Sequence, residues 1–127
     1  QSYLQEVISE FKNAGIRTSI FIDTDLKLIE AAAKTGADRI ELYTEHFAGE
    51  YEKGNKEAIK PYTEAATLAH KLGVGINAGH DLSLENIEFF KQNIPHLAEV
   101  SIGHALISES LYLGLQNVVN MYLHRLQ

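Results

Sequence analysis

The sequence has no cysteine, only two prolines, and fewer basic than acidic residues. Each shortage excludes something. Without cysteine there is no disulfide framework, no thiolate nucleophile and no thiolate zinc site. Eleven Lys and Arg against seventeen Asp and Glu give a net charge of -6, the wrong sign for a sequence-independent grip on nucleic acid. No run of about eighteen apolar residues is available to cross a bilayer as a helix. No basic segment leads into an apolar stretch, so no secretory leader is predicted and the cytoplasm is the expected compartment. A P-loop, a dinucleotide glycine fingerprint, a nucleophile elbow and an HExxH zinc pair are also missing. Two prolines and nine scattered glycines leave no low-complexity linker.

What remains is 127 residues, 45% hydrophobic, one globular domain's worth of chain. Leu4, Val7, Ile8 and Phe11 share one helical face, and Gly15 ends that helix. Thr18 to Ile22 reads as a buried strand, followed by an Asp23-Thr24-Asp25 turn with N-cap chemistry and an alanine-rich helix from Leu26 to Thr35. A second strand spans Ala37 to Tyr43. Thr44 to Asn55, with three glutamates, two glycines and the rings of His46, Phe47 and Tyr51, reads as a long loop or lid. A long helix follows from Lys56 to Leu72, with Pro61 in its first turns. A third strand covers Val74 to Ala78, and Ser83 caps a helix from Leu84 to about Asn93. A fourth strand covers Glu99 to Ile102, and the remainder is helical with a break near Gly114.

Apolar strands alternating with helices indicate an α/β fold with a parallel sheet. The strand starts imply βα units of about 27 residues, and eight of them would need about 220, near the ~250 of a (β/α)8 barrel. Two architectures fit this pattern: a small doubly wound open sheet, or the last four units of a barrel. Both put ligands at the C-terminal ends of the strands. Polar and glycine residues gather there, at Asp23, Thr44, Gly79-His80-Asp81 and Gly103-His104.

Three candidates carry chemistry. His80 follows a strand and a glycine, at the rim of the sheet, and histidine gives and takes protons near neutrality. The plainer alternative is a loop histidine paired with Asp81. Gly103-His104 opens a helix directly after a strand, where free N–H groups and the helix dipole favour an anion; the alternative is a tight turn that uses glycine for its backbone freedom. Glu41 interrupts an apolar strand, where an unpaired carboxylate is costly. It could stabilise developing positive charge in a site, or it could be held by Arg39 on the same strand face. His70, His96 and His124 are expected at the surface.

Phe21-Ile22-Asp23, Ala31-Ala32-Ala33, Gly36 to Thr44, Asn77 to Leu82 and Ile102 to Ala105 occur in register with these strand ends. Together they resemble the C-terminal half of the pyridoxine 5′-phosphate synthase family, from about Arg17 onward. The resemblance implies a (β/α)8 barrel of which this chain, as one domain over residues 1–127, forms the C-terminal half. It implies a homo-oligomer, usually an octamer, that uses no metal or organic cofactor. Its two phosphorylated substrates would be 1-deoxy-D-xylulose 5-phosphate and 3-amino-2-oxopropyl phosphate, condensed to pyridoxine 5′-phosphate with release of phosphate and water. His80 matches the family's proton donor and Glu41 the glutamate assigned to transition-state stabilisation. Asp81 matches a substrate-contacting position, through its backbone, and Gly103 and His104 match the phosphate-binding pair. Glu45 departs from the glycine often found after the threonine. Arg17, Arg39 and Arg125 match none of the family's substrate-clamping arginines, which lie in the first half of the barrel. Two rival readings stay open: a metal-dependent lyase or isomerase with His80, Asp81 and His104 as ligands, and a non-catalytic open-sheet domain that only holds a phosphorylated ligand.

Overall fold

The computed structural model describes residues 2–127. Helix α1 (Ser2–Asn13) precedes four βα units: β1 (Ser19–Ile22) with α2 (Leu26–Ala33), β2 (Arg39–Tyr43) with α3 (Glu45–Glu52) and α4 (Lys60–Lys71), β3 (Gly75–His80) with α5 (Ile87–Asn93), and β4 (Leu97–Ile102) with α6 (His104–Leu113) and α7 (Leu115–Arg125). The strands pair in parallel in the order β1-β2-β3-β4. That order separates the two architectures the sequence left open. A doubly wound sheet reverses direction at a switch point and carries helices on both faces; here each strand lies beside its predecessor, as in a barrel.

The two faces of the sheet differ in the same sense. Ile40, Leu42, Ile76 and Ala78 are buried together with Ile29, Phe47, Ala65, Ala66, Ala69, Ile87 and Phe90 from the helices. Arg39, Glu41 and Tyr43 alternate with Ile40 and Leu42 and lie half-buried on the opposite face, beside exposed Phe21. Period-two alternation thus sends the apolar set under the helices and the polar set to one open, concave side. Cross-strand register aligns Phe21, Glu41, Asn77 and Glu99 in one row, and Tyr43, Gly79 and Ser101 in the next. A bulge at Ala98 shifts the β3–β4 register between these rows and the Ile76–Leu97 pair below them.

Several boundaries differ from the sequence reading, for physical reasons. The loop expected over residues 44–55 is mostly helix α3. Its Phe47 is fully buried, with ring centroids 5.0 Å from Phe90 and 5.5 Å from Tyr51, one turn along α3. Tertiary burial overrides a segment whose glycines and glutamates carry little helical pattern. The helix expected from Lys56 opens as a 3-10 turn (Lys56–Ile59), and α4 begins at Lys60 because Pro61 has no N–H to continue the ladder. Ser83 caps a turn rather than the helix proper: its Oγ accepts from the Glu85 N–H at 3.3 Å, and α5 begins only at Ile87. The Ser83 N–H donates to the Asn86 side chain and its carbonyl accepts from Asn86 and Ile87, so a turn leads into α5. Strand β3 runs on through Gly79 and His80, and β4 begins two residues early, at Leu97. The break at Gly114 occurs as read, with a positive φ of 82°.

Candidate active site

The residues singled out from the sequence come together at the C-terminal ends of β2, β3 and β4. A concavity of about 560 Å³ on the open face is lined by Phe21, Glu41, His80, Gly103, His104 and Ile107, among others. A second, of about 390 Å³, lies between α3 and the β3–α5 connection and shares His80 and His104 with the first. The imidazoles of His80 and His104 stand edge to face with centroids 6.2 Å apart. Tyr43 flanks His80 at 6.2 Å and Phe21 at 5.3 Å, forming one aromatic wall.

His80 is more than half exposed, and its Nδ1 lies 3.0 Å from Asp81 Oδ2. The pairing read as the plainer alternative is therefore present, in a ring that also lines both concavities. A carboxylate that accepts from Nδ1–H fixes the ring and leaves Nε2 as its exchangeable position. The backbone at His80 is unusual: φ is 63°, and the Asp81 N–H donates to the Gly79 carbonyl at 2.9 Å. An i→i+2 bond around a positive-φ residue is the rarer, strained γ-turn.

Gly103 precedes α6, whose first intrahelical bond runs from the Ile107 N–H to the Gly103 carbonyl at 3.2 Å. The earlier N–H groups of that turn have no partner within the helix, and no side chain caps them. A Cβ placed on Gly103 would meet nothing within 4 Å, so the space beside this turn is open. The arrangement suits an anion.

Glu41 also lines the larger concavity, and among the described residues no hydrogen bond or ion pair holds its carboxylate. Arg39, its expected alternative partner, is engaged elsewhere. The Arg39 guanidinium donates to Asn77 Oδ1 at 2.8 Å and lies 3.2 Å from Glu99. Arg17 closes the same cluster with a two-pronged contact to Glu99, both arms 2.9 Å. These cations, with Arg17 foremost, hold the Glu99 carboxyl below its usual range. Tyr43 donates to Glu45 Oε2 at 2.5 Å; that bond, together with desolvation, pushes the phenol up to about 12. Among the described residues no group of three or more His, Cys, Asp or Glu is placed to hold a metal ion, so His80, Asp81 and His104 do not form the three-ligand set of the rival reading.

The family model described as the pyridoxal phosphate biosynthesis protein PdxJ matches residues 1–127. The chain belongs to the PdxJ family. A pyridoxine 5′-phosphate synthase of Flavobacterium johnsoniae is 71% identical over all 127 residues, which cover 54% of that relative. Those of Christiangramia forsetii and Cytophaga hutchinsonii are 65% and 56% identical, again over the whole chain, and are covered to 54% and 53%. The chain therefore spans about half the length of the curated relatives it matches.

Sequence reasoning missed some members of this site. Thr44 is fully buried; its hydroxyl donates to the Gly79 carbonyl and accepts from the Asp81 N–H at 3.3 Å. Its one visible signal was a polar residue directly after an apolar strand. Tyr43 was passed over because a tyrosine at a strand end does not by itself signal a site, and Glu45 was read only as a departure from the family's glycine. His46 lies exposed on α3 rather than in a lid, and His70, His96 and His124 are exposed as expected. The rings of His70 and His96 stack with centroids 3.4 Å apart.

Proposed function

We propose that residues 1–127 form the C-terminal half-barrel domain of a pyridoxine 5′-phosphate synthase. It would condense 1-deoxy-D-xylulose 5-phosphate with 3-amino-2-oxopropyl phosphate to pyridoxine 5′-phosphate, phosphate and water. The observation that carries the reading is the convergence of His80, Glu41 and the Gly103-His104 turn on one concavity. High identity to relatives of that name supports it.

The chemistry asks for what these residues offer. An amine that condenses with a ketone loses water, and the departing oxygen leaves only once protonated. His80 donates that proton from one ring nitrogen while Asp81 accepts from the other and steadies the imidazolium. A cationic imine forms as water departs, and the carboxylate of Glu41 stabilises it from the neighbouring strand β2. The N–H groups that open α6, with His104 beside them, hold a substrate phosphate; the backbone contact expected of Asp81 is not available in this arrangement, because its N–H is engaged by the Gly79 carbonyl and the Thr44 hydroxyl. Both substrates carry phosphate, so fixed donors orient them before bonds change. Homo-oligomeric assembly and the lack of a metal or organic cofactor enter this reading from the family resemblance alone.

The test is direct. A full-length protein carrying this sequence, given both substrates, is expected to form pyridoxine 5′-phosphate and release phosphate. A folded protein that yields neither would overturn the reading.

A further inference from the structure

We propose that Thr44 is a positioning residue for His80, pinning the strained turn that aims the imidazole. The proposal rests on the reading of His80 as proton donor. Four observations carry it.

His80 adopts φ 63°, a strained region for a non-glycine residue that persists only where its surroundings hold it there. The Thr44 hydroxyl grips both flanks of that turn at once, donating to the carbonyl before His80 and accepting from the N–H after it. Thr44 is itself fully buried, so water cannot replace either contact.

The third observation is what Thr44 does not do. It occupies the N-cap position of α3, where threonine ordinarily accepts from the first-turn N–H groups, yet its side chain makes no capping bond. Tyr62 serves that helix end instead. Its hydroxyl accepts from the Phe47 N–H at 3.3 Å and donates to the Tyr43 carbonyl at 3.0 Å. The Thr44 hydroxyl is diverted from its local helix to a neighbouring strand.

The fourth is steric. A Cβ on Gly79 would sit 2.9 Å from the Ser101 Cβ and closer still to the Ser101 carbonyl oxygen. Strand β4 thus presses the backbone before His80 from one side, and Thr44 holds it from the other. The turn has little freedom to relax while both remain.

Thr44→Val keeps the branched shape and removes the hydroxyl; Thr44→Ser keeps the hydroxyl and removes the methyl. In the full-length enzyme, Thr44→Val is expected to lower kcat at least tenfold with KM for both substrates changed less than about twofold, the pattern of a group out of position rather than a lost binding contact. Thr44→Ser is expected to retain kcat within about threefold. Hydrogen exchange in the resting protein should rise in Thr44→Val over residues 78–83, with distant segments unchanged. If Thr44→Val does not fold, Thr44→Ala takes its place in the same measurements. Near-normal kcat and unchanged local exchange in the hydroxyl-free variant would overturn the proposal, and so would an equal loss in Thr44→Ser. A fully active His80→Ala would instead overturn the proton-donor reading, and local exchange would still report whether Thr44 holds the turn.

Discussion

Two groups of charged residues use the same side-chain types to opposite effect. In the first, charges meet one another: Arg17 and Arg39 on Glu99, Arg39 on Asn77, Lys12 on Asp38 at 3.1 Å. In the second, Glu41, which the register sets level with Asn77 and Glu99, and the N–H groups opening α6 have no such partners among the described residues, and His80 has Asp81. Barrel folds divide stability from function by position along the strands; here, where Glu41 and Glu99 share a row, the division follows from who is already paired. Charges satisfied within the fold have little left for a ligand, while those held apart from their complements keep their capacity for one.

The comparison breaks most severely if the unpaired group proves dispensable. His80→Ala in the full-length enzyme should lower kcat by about 10³-fold, within the range of a lost general acid, with thermal melting unchanged. Normal turnover would remove His80 from the chemistry. Glu41→Gln keeps the shape and removes the charge, and a loss of about 10²-fold in kcat is expected. Because no partner is left unpaired, melting should hold or rise; a marked fall would mean that the carboxylate serves the fold.

The paired group should answer in the opposite way. Glu99→Gln strips the counter-charge from Arg17 and Arg39, so the melting temperature should fall while kcat stays within about twofold. Catalytic collapse with intact stability would contradict the division. The smallest effect concerns acid. Asp38 accepts from the Thr18 N–H and hydroxyl and lies beside Lys12, and these contacts, the Thr18 backbone first, lower its carboxyl from 3.8 to about 2. A carboxylate with a depressed folded-state pKa contributes stability above its unfolded pKa and loses it as pH falls through the folded one. The contribution of Asp38 should therefore fade between about pH 4 and pH 2. Asp38→Asn should flatten the acid-unfolding curve over that interval, and an unchanged curve would deny Asp38 its role.

This division was legible in the sequence to differing depths. His80 and Gly103-His104 stood out because a glycine-histidine pair at a strand end already names both a location and a chemistry. Glu41 was conspicuous as a charge among apolar neighbours, but its freedom was not, because Arg39 shares its face and only the structure shows that guanidinium turned to Asn77 and Glu99. Thr44 was noticed as polar punctuation and nothing more. Its role depends on Gly79 and Asp81, more than thirty residues further along the chain, a relation no local pattern encodes. Helix α3 failed for the converse reason: Phe47 and Tyr51 hold it through contacts with distant aromatics, while its short span, with Gly49 inside it, leaves little apolar periodicity to read.

The sequential strand order has a kinetic side. Each of the three pairings within this sheet joins strands consecutive in sequence, so none of the three waits for a distant segment. Closing the intervening loops becomes only slowly more expensive with length, and assembly from near neighbours tends to be fast. The sheet can therefore grow strand upon strand in the order of synthesis, with β2 in place as a template before β3 leaves the ribosome. A lesion in an early strand would delay every later one, whereas a lesion in β4 would leave its predecessors already paired.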